Sequence, residues 1–309
     1  MNLKAVHKCQ KLNEALLCIV KQFDVHFVDK QIKYDIHINQ FGFREIVIES
    51  SCNDKDALIN LYDDLSTLLM LFDGYFVPVT EFCIDGQNIT EDFLKQRAPF
   101  YNSADFMHNL SRRLINFSEV LNEDIIHNNE DIIHKWIELR KELDIIHNMV
   151  LYCLSDVKMP KDMQCAFMIE SFEGLRELIE NEKPEIIFEK AKHDNGHKES
   201  QLAKDLISFI NYYGKSIFED EIQCGTEKFA KILVDSRNRI GHIKRNQKNQ
   251  CLEDSENIIY LLKLSVLYRI VLFDLLQIPN DKYEENLSSQ NKVINEWDVT
   301  VKFLENLKK

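Results

Sequence analysis

The sequence predicts a mainly α-helical protein in which a small α+β domain precedes an antiparallel helical bundle. Glycine and proline supply only 8 and 5 of the 309 residues, far below their average usages of about 7% and 5%. A chain so poor in turn-forming residues cannot build a many-stranded barrel or sandwich. Residues 32–38 alternate apolar and polar side chains, as half-buried strands do. The segments after residue 130 instead space their apolar residues as long helices do.

Residues 1–121 are predicted to form the α+β domain, whose function the sequence does not name. Alternation on both sides of Asn39–Gly42 predicts a hairpin, and a run of regularly spaced leucines predicts a helix after it. In order, the expected elements are a short helix within 3–22, the hairpin, a helix that Asn53 or Asp54 caps and Gly74 ends, and a strand at about 75–84.

A tandem repeat follows this domain. Two near-identical heptads begin at Asn122 and Asn129, and we predict residues 122–131 to be a linker at the domain boundary. His127 and His134 raise the question of a metal site. They lie two helical turns apart, too far to chelate one ion, and no third ligand has a matching spacing, so no metal is expected there.

Residues 132–280 are predicted to form the bundle, because long helical segments are joined there by short polar loops. The expected helices cover about 132–154, 161–181, 198–213, 226–248 and 254–277. Residues 281–309 are predicted to be a charged C-terminal tail or helix.

Charge and cysteine content restrict the class of protein. The formal net charge is −13, which argues against a protein that coats nucleic acid or an anionic membrane through its global charge. The eight cysteines are scattered without a C-x-x-C pair, as is typical of reduced thiols in the cytoplasm. No secretory leader and no apolar run of membrane-spanning length is present. We therefore expect a cytoplasmic protein with no membrane partner.

One segment is strongly basic although the chain as a whole is acidic. Residues 228–248 contain seven basic residues and a single acid, so their net charge is +6 and the remainder of the chain carries −19. A basic helix is usually only a solvated face. This one also carries His, Asn and Gly among its cations, which is more typical of a groove that binds a polyanion.

The helical spacing of this segment separates two faces. Asn238 and His242 lie on the polar side, with Arg237 at the edge of the apolar stripe and Val234 directed outward, where it suits contact with a partner helix. Gly241 either leaves space for a ligand beside Arg237 and His242 or packs against a neighbouring helix. The predicted core stripe consists of Phe229, Ile232, Leu233, Ser236, Ile240 and Ile243.

The string Arg237-Asn-Arg-Ile-Gly-His242 resembles the R-N-x-x-x-H signature of HEPN domains, the higher-eukaryote and prokaryote nucleotide-binding superfamily. The surrounding residues 229–246 look like the ApeA-type branch. Residues 167–176, which contain Glu170, look like an earlier helix of that branch. The resemblance covers about 130–280 well and the first 120 residues only in layout.

The resemblance implies a metal-independent endoribonuclease that acts as a homodimer through its HEPN bundle and needs no cofactor. It makes His242 the general acid or base and Arg237 the phosphate clamp, with Asn238 orienting either His242 or the phosphate. Glu170 is then either the support of Arg237 or an ordinary surface carboxylate. The residues expected to follow the RNA backbone are Lys231, Arg239, Lys244 and Arg245.

Three functions stay open at this point. The first is a ribonuclease in antiviral defence or a toxin role, whose N-terminal domain senses a trigger or binds a regulatory or antitoxin partner. The second is a non-catalytic HEPN module that binds RNA or a partner protein. The third is a structural helical protein. The absence of G-x-x-x-x-G-K, G-x-G-x-x-G and G-x-S-x-G argues against NTPases, dinucleotide-binding enzymes and serine hydrolases.

Overall fold

The computed structural model describes residues 1–7, 21–40, 44–74, 79–96, 125–126, 129–155, 159–194, 197–198, 200–242 and 250–308. The chain divides into two compact units. Unit 1 comprises Met1–Lys141 with Ser155–Val157, and unit 2 comprises Glu142–Leu154 with Lys158–Lys309.

Unit 1 is built on a six-stranded antiparallel sheet in the order β2-β3-β4-β1-β5-β6. Its strands are β1 (Asn2–His7), β2 (Lys21–Asp29), β3 (Ile32–Gln40), β4 (Arg44–Ser50), β5 (Val79–Ile84) and β6 (Gln87–Asn88). Alternate residues of β3 and β4 are buried, as the period of two predicted, and the two strands pair in the expected hairpin.

The helices of unit 1 supply the other layer of its core. They are α1 (Lys55–Asp73), α2 (Thr90–Gln96) and the first part of α3 (Glu130–Cys153), which continues into unit 2. The Asp54 side chain caps α1 by accepting from the Ala57 amide at 3.0 Å, and Gly74 ends the helix at φ 77°. Buried Trp136 of α3 donates its indole N–H to the Asp64 carbonyl at 2.7 Å.

The helix predicted within residues 3–22 is wrong over its first residues. Residues 2–7 form β1 in the middle of the sheet, between β4 and β5, with Leu3, Ala5 and His7 buried. Hydrogen bonds to two distant strands stabilise this extended segment, and such partners leave no mark on the local apolar spacing. Residues 8–20 of the predicted helix lie outside the described residues, and its last two residues, Lys21 and Gln22, begin strand β2.

Unit 2 is helical and confirms the predicted mainly α fold class. After the end of α3, it contains α4 (Lys161–Glu182), α5 (Gln201–Tyr213), α6 (Glu219–Gly241), α7 (Asp254–Leu275), α8 (Glu284–Asn295) and α9 (Asp298–Lys308). A two-residue ribbon of β7 (His193–Asp194) and β8 (His197–Lys198) precedes α5. Helix α6 packs against α4, α5 and α9, and α4 also packs against α7. None of the described helices is long and apolar enough to cross a membrane.

Helix α6 is interrupted once, and the C-terminal helices cover part of it. Gly225 has φ 114° and ψ 105°, so a kink separates the first turns of α6 from the longer segment that carries the basic motif. The segment expected to be a charged tail or helix forms α8 and α9, with Phe303 and Leu307 buried. Lys228 donates to the Leu307 carbonyl at 2.6 Å, which ties α9 to α6.

One buried carboxylate makes the stability of unit 2 depend on pH. Asp205 of α5 is fully buried, accepts a hydrogen bond from Gln201 Nε2 at 2.8 Å, and lies 3.7 Å from Arg176 Nε of α4. Burial raises the pKa of Asp205 to about 6, although Gln201 and Arg176 oppose that shift. Because this pKa exceeds that of an unfolded Asp, the stability of the native state falls as the pH rises through about 4 to 6.

Asp205→Asn is expected to remove this penalty. The difference in free energy of unfolding, variant minus wild type, should increase by about 1–2 kcal/mol from pH 4 to pH 7. Urea denaturation followed by far-UV circular dichroism at several pH values measures the difference. Asp281→Asn, at an exposed position, controls for the loss of one carboxylate. A difference between wild type and Asp205→Asn that does not change with pH would contradict the expectation.

Candidate active site

The motif lies at the C-terminal end of α6. Helix α6 ends at Gly241, and His242 is its capping residue, with its amide donating to the Asn238 carbonyl at 3.0 Å. The helix predicted over 226–248 therefore ends earlier than expected, and residues 243–249 lie outside the described part of the chain. The candidate residues are thus displayed at a helix end, where side chains are less crowded than in a helix interior.

The predicted core stripe of α6 is buried where the structure describes it fully. Phe229, Ile232 and Leu233 are buried, and Ile240 is half-buried. Ser236 is also buried and accepts from the Leu252 amide at 2.7 Å while donating to the Ile232 carbonyl. These contacts fix the rotation of α6 and so determine which motif residues point away from the core. Ile243, the last residue of the predicted stripe, lies beyond the described residues.

The prediction for Val234 is wrong. Its side chain is only 4% exposed, and the neighbouring Ala230 on the same side is fully buried. The stripe was predicted from a helix with one buried face, whereas α6 packs against α4, α5 and α9. Val234 is therefore part of the internal packing of unit 2 and is not available for contact with a partner helix.

Arg237 is held from two sides. Its Nε donates to Glu170 Oε2 and its Nη2 donates to Glu170 Oε1 at 2.5 Å. Glu170 of α4 therefore binds the guanidinium with both carboxylate oxygens. Its Nη1 donates to the Asn238 side-chain oxygen at 2.8 Å. Glu170 was expected either to support Arg237 or to be an ordinary surface carboxylate, and the structure shows the ion pair with Arg237. The hydrogen bond to Glu170 raises the pKa of Arg237, so the guanidinium stays charged.

This arrangement orients Arg237 more than it stabilises the fold. The Arg237 and Glu170 side chains are 25% and 33% exposed, and ion pairs in contact with solvent contribute about 0–1 kcal/mol. A guanidinium has five N–H donors in a rigid plane. Among the residues that the structure describes, Glu170 and Asn238 accept from three of these donors, which leaves two for an anion in a fixed direction.

His242 and Gly241 border open space. The His242 ring is exposed and has no hydrogen-bond partner among the residues that the structure describes. A β-carbon built at Gly241 would meet no described atom within 4 Å. In the described part of unit 2, no neighbouring helix packs against Gly241, so space is left beside His242.

The predicted RNA-binding cations have different surroundings. Lys231 forms an ion pair with Asp235 at 2.6 Å, one turn further along α6. Arg239 is exposed and has no ion pair within the described ranges. Lys244 and Arg245 lie outside the described residues. Of the predicted backbone contacts that can be placed, Arg239 is therefore the one that forms no ion pair with a described residue.

Sequence reasoning missed a small polar cavity beside Arg239. Asp162 at the start of α4 and Glu253 just before α7 line this cavity of about 280 Å³ together with Arg239. Glu253 accepts from the third amide of α7 while Glu256 accepts from the Glu253 amide. The Glu253-x-x-Glu256 pattern of that capping box was the one available signal. Its approach to α6 depends on tertiary packing.

Within the ranges described above, no group of three or more His, Cys, Asp or Glu side chains is arranged to hold a metal ion.

The comparisons with known proteins concern unit 2. The model of the family described as Apea-like HEPN matches residues 163–282. This range includes Glu170 of α4 and the whole segment from Arg237 to His242. No curated protein and no solved structure matches the chain.

Proposed function

We propose that the protein is a metal-independent endoribonuclease, starting from the match of residues 163–282 to the model of the Apea-like HEPN family. The observation that carries the proposal is the fixed orientation of Arg237. Glu170 and Asn238 hold its guanidinium with two donors left over, and an exposed histidine follows five residues later. A bound phosphate and a proton-transfer group are the two requirements for cleaving RNA at its own 2′-hydroxyl.

The reaction requires two proton transfers. The 2′-oxygen attacks phosphorus, so the O2′–P bond forms, the P–O5′ bond breaks, and a 2′,3′-cyclic phosphate and a 5′-hydroxyl result. A base takes the proton of the 2′-hydroxyl, and an acid supplies a proton to the departing O5′. His242 is suited to either transfer because an imidazole nitrogen accepts a proton as a base and, once protonated, donates it as an acid. Arg237 stabilises the charge that develops on the non-bridging oxygens.

A two-fold dimer supplies the second proton-transfer group. One imidazole cannot accept and donate a proton in the same step, whereas two copies of the α6 end facing each other place two Arg237–His242 pairs on one phosphate. A two-fold interface brings the same surface patch of each copy together. The exposure of His242 and the open space at Gly241 support this assembly.

We assign a regulatory role to unit 1 and a cytoplasmic setting to the protein. A ribonuclease that cleaves cellular RNA must be restrained, so a unit that senses a trigger or binds an antitoxin-type partner fits a role in antiviral defence. The described cysteines support the setting, since they are all free thiols: Cys52, Cys83, Cys153, Cys165, Cys224 and Cys251. Free cysteines are typical of reducing compartments.

The alternative is a non-catalytic HEPN module that binds RNA or a partner protein. The pairing of the cations favours it, because Arg237 is bound by Glu170, Lys231 by Asp235, and Lys228 by the Leu307 carbonyl. These cations are partly engaged before any ligand arrives.

The proposal predicts RNA cleavage in the presence of excess EDTA. The wild-type protein should cut a single-stranded RNA of mixed sequence and leave 2′,3′-cyclic phosphate and 5′-hydroxyl ends, as read by mass spectrometry. The same strand with 2′-deoxyribose throughout is the control and should stay intact, because it lacks the nucleophile. Cutting of the deoxy strand, or cutting that stops with EDTA, contradicts the proposal. Tight binding without cleavage under all conditions establishes the alternative.

A further inference from the structure

The cavity beside Arg239 lies at the same helix end as the candidate active site. Arg239 and Ile240 of α6 form one side of it, Asp162 at the start of α4 forms another, and Leu252 and Glu253 before α7 close it. All of these residues belong to unit 2. Arg239 precedes His242 by three residues, which is about 4.5 Å along a helix axis.

The size of the cavity restricts its ligand. Its volume is about 280 Å³, slightly below the ~300 Å³ at which pockets for drug-sized ligands begin. It therefore has room for one flat ring system. The aliphatic side chains of Ile240 and Leu252 offer an apolar wall against which such a ring can lie.

The charges in the cavity disfavour a phosphate. Two carboxylates, Asp162 and Glu253, accompany the single guanidinium of Arg239, so an anion would meet net repulsion. Asp162 Oδ1 accepts from the Met163 amide at 2.9 Å, and the Glu253 side chain accepts from the amide of Glu256. A carboxylate has about four acceptor sites, so both groups can still accept from a ligand. The cavity thus offers further acceptors and one set of charged donors to a neutral ring.

We infer that this cavity binds a guanine base of the RNA strand whose phosphate Arg237 holds. Guanine combines N–H donors at N1 and N2 with acceptors at O6 and N7. A carboxylate from Asp162 or Glu253 matches the donors, and the Arg239 guanidinium matches the acceptors. Adenine and uracil do not offer two adjacent N–H donors to a carboxylate, because adenine N1 is an acceptor and the uracil N3–H lies between two carbonyl oxygens. Sequence-specific RNA-binding proteins typically read bases that are splayed out of a single strand in this way.

This inference rests on the proposed function, and a binding experiment tests it apart from catalysis. The probes are short oligouridine strands that carry one central guanosine, inosine or adenosine, with 2′-O-methyl ribose throughout so that they cannot be cleaved. The wild type should bind the guanosine strand about 10- to 100-fold more tightly than the adenosine strand, as expected for one well-made set of base contacts. The affinity for the inosine strand, whose base lacks the 2-amino group, should lie between those for the guanosine and adenosine strands.

Conservative variants identify the contacts. Glu253→Gln and Asp162→Asn keep the acceptors that the backbone amides use, and Arg239→Gln removes the guanidinium. At least one acid variant and Arg239→Gln should reduce the preference for guanosine over adenosine to about threefold or less. Glu256→Gln is the matched control, because it lies in the same helix start without lining the cavity and still accepts from the Glu253 amide.

The outcomes separate this inference from the ribonuclease proposal. Guanosine-selective binding without cleavage of unmodified strands supports the base site and overturns the enzyme. Cleavage together with equal affinity for the three strands overturns the base site alone. Failure to bind the guanosine strand, or variants that weaken all strands equally, also overturns it, because the cavity residues would then contact only the backbone or nothing.

Discussion

Replacing His242 with alanine is expected to lower the rate of RNA cleavage by about 10²- to 10⁴-fold, the usual contribution of a general acid or base. The same change should leave the free energy of unfolding within about 0.5 kcal/mol of the wild type, as for most surface substitutions. The ring is exposed, and the capping contact of residue 242 uses its backbone amide, which alanine retains. A large loss of activity without loss of stability is the combination that identifies a chemical role.

Cleavage of one labelled RNA strand in excess EDTA and urea denaturation measure the two quantities on the same preparations. His26→Ala is the matched control, because His26 is an exposed histidine of β2 in unit 1, paired with Asp35. It should cleave at the wild-type rate. An unchanged rate for His242→Ala in preparations free of other nucleases would show that this imidazole does not transfer the proton. A loss of activity that follows a loss of stability would mean that its role is structural.

The long helices could be predicted because their determinants are local. The structure has α4 at Lys161–Glu182 and α7 at Asp254–Leu275. These bounds lie within two residues of those predicted from the apolar spacing. Helical order depends mainly on contacts within a few turns, and the proline before α4 and the polar loops mark the ends. The strand β1 could not be predicted in this way, because its partners β4 and β5 lie about 40 and 80 residues away.

The candidate site was predictable in composition and not in geometry. The R-N-x-x-x-H string singled out Arg237 and His242 without any tertiary information. The ion pair between Glu170 and Arg237 bridges 67 residues, so the local pattern around either residue does not decide whether it forms. The net charge of +6 for residues 228–248 overstates the charge available to a ligand, because Lys228 and Lys231 are bound by groups of the same chain.

A buried ion pair at the start of α6 is a further feature that depends on tertiary contacts. Lys263 of α7 and Glu221 of α6 are both fully buried, and Lys263 Nζ lies 2.5 Å from Glu221 Oε1. The Tyr260 hydroxyl donates to the same oxygen at 3.0 Å, and the Phe218 ring centroid lies 5.5 Å from Lys263 Nζ. Burial lowers the pKa of Lys263, an effect that Glu221 opposes. The pair connects the short segment before Gly225 to α7.

Lys263→Met is expected to destabilise unit 2 by about 3–5 kcal/mol, because it leaves the Glu221 carboxylate buried without its counter-charge. The double variant Glu221→Leu with Lys263→Met should recover most of this loss and lie within about 2 kcal/mol of the wild type, since both desolvated charges are then absent. The remaining cost comes from the Tyr260 hydroxyl, which loses its acceptor.

Urea denaturation of the wild type, both single variants and the double variant gives the coupling free energy of the pair directly. Because Glu221 lies before the kink at Gly225 and the motif lies after it, the folded double variant should retain guanosine-strand binding and RNA cleavage. Single and double variants that are destabilised equally would mean that the cost of Lys263→Met does not come from leaving the Glu221 carboxylate unpaired. Recovery in the double variant would establish that the attraction between Lys263 and Glu221 is what makes either charge tolerable in the core of unit 2.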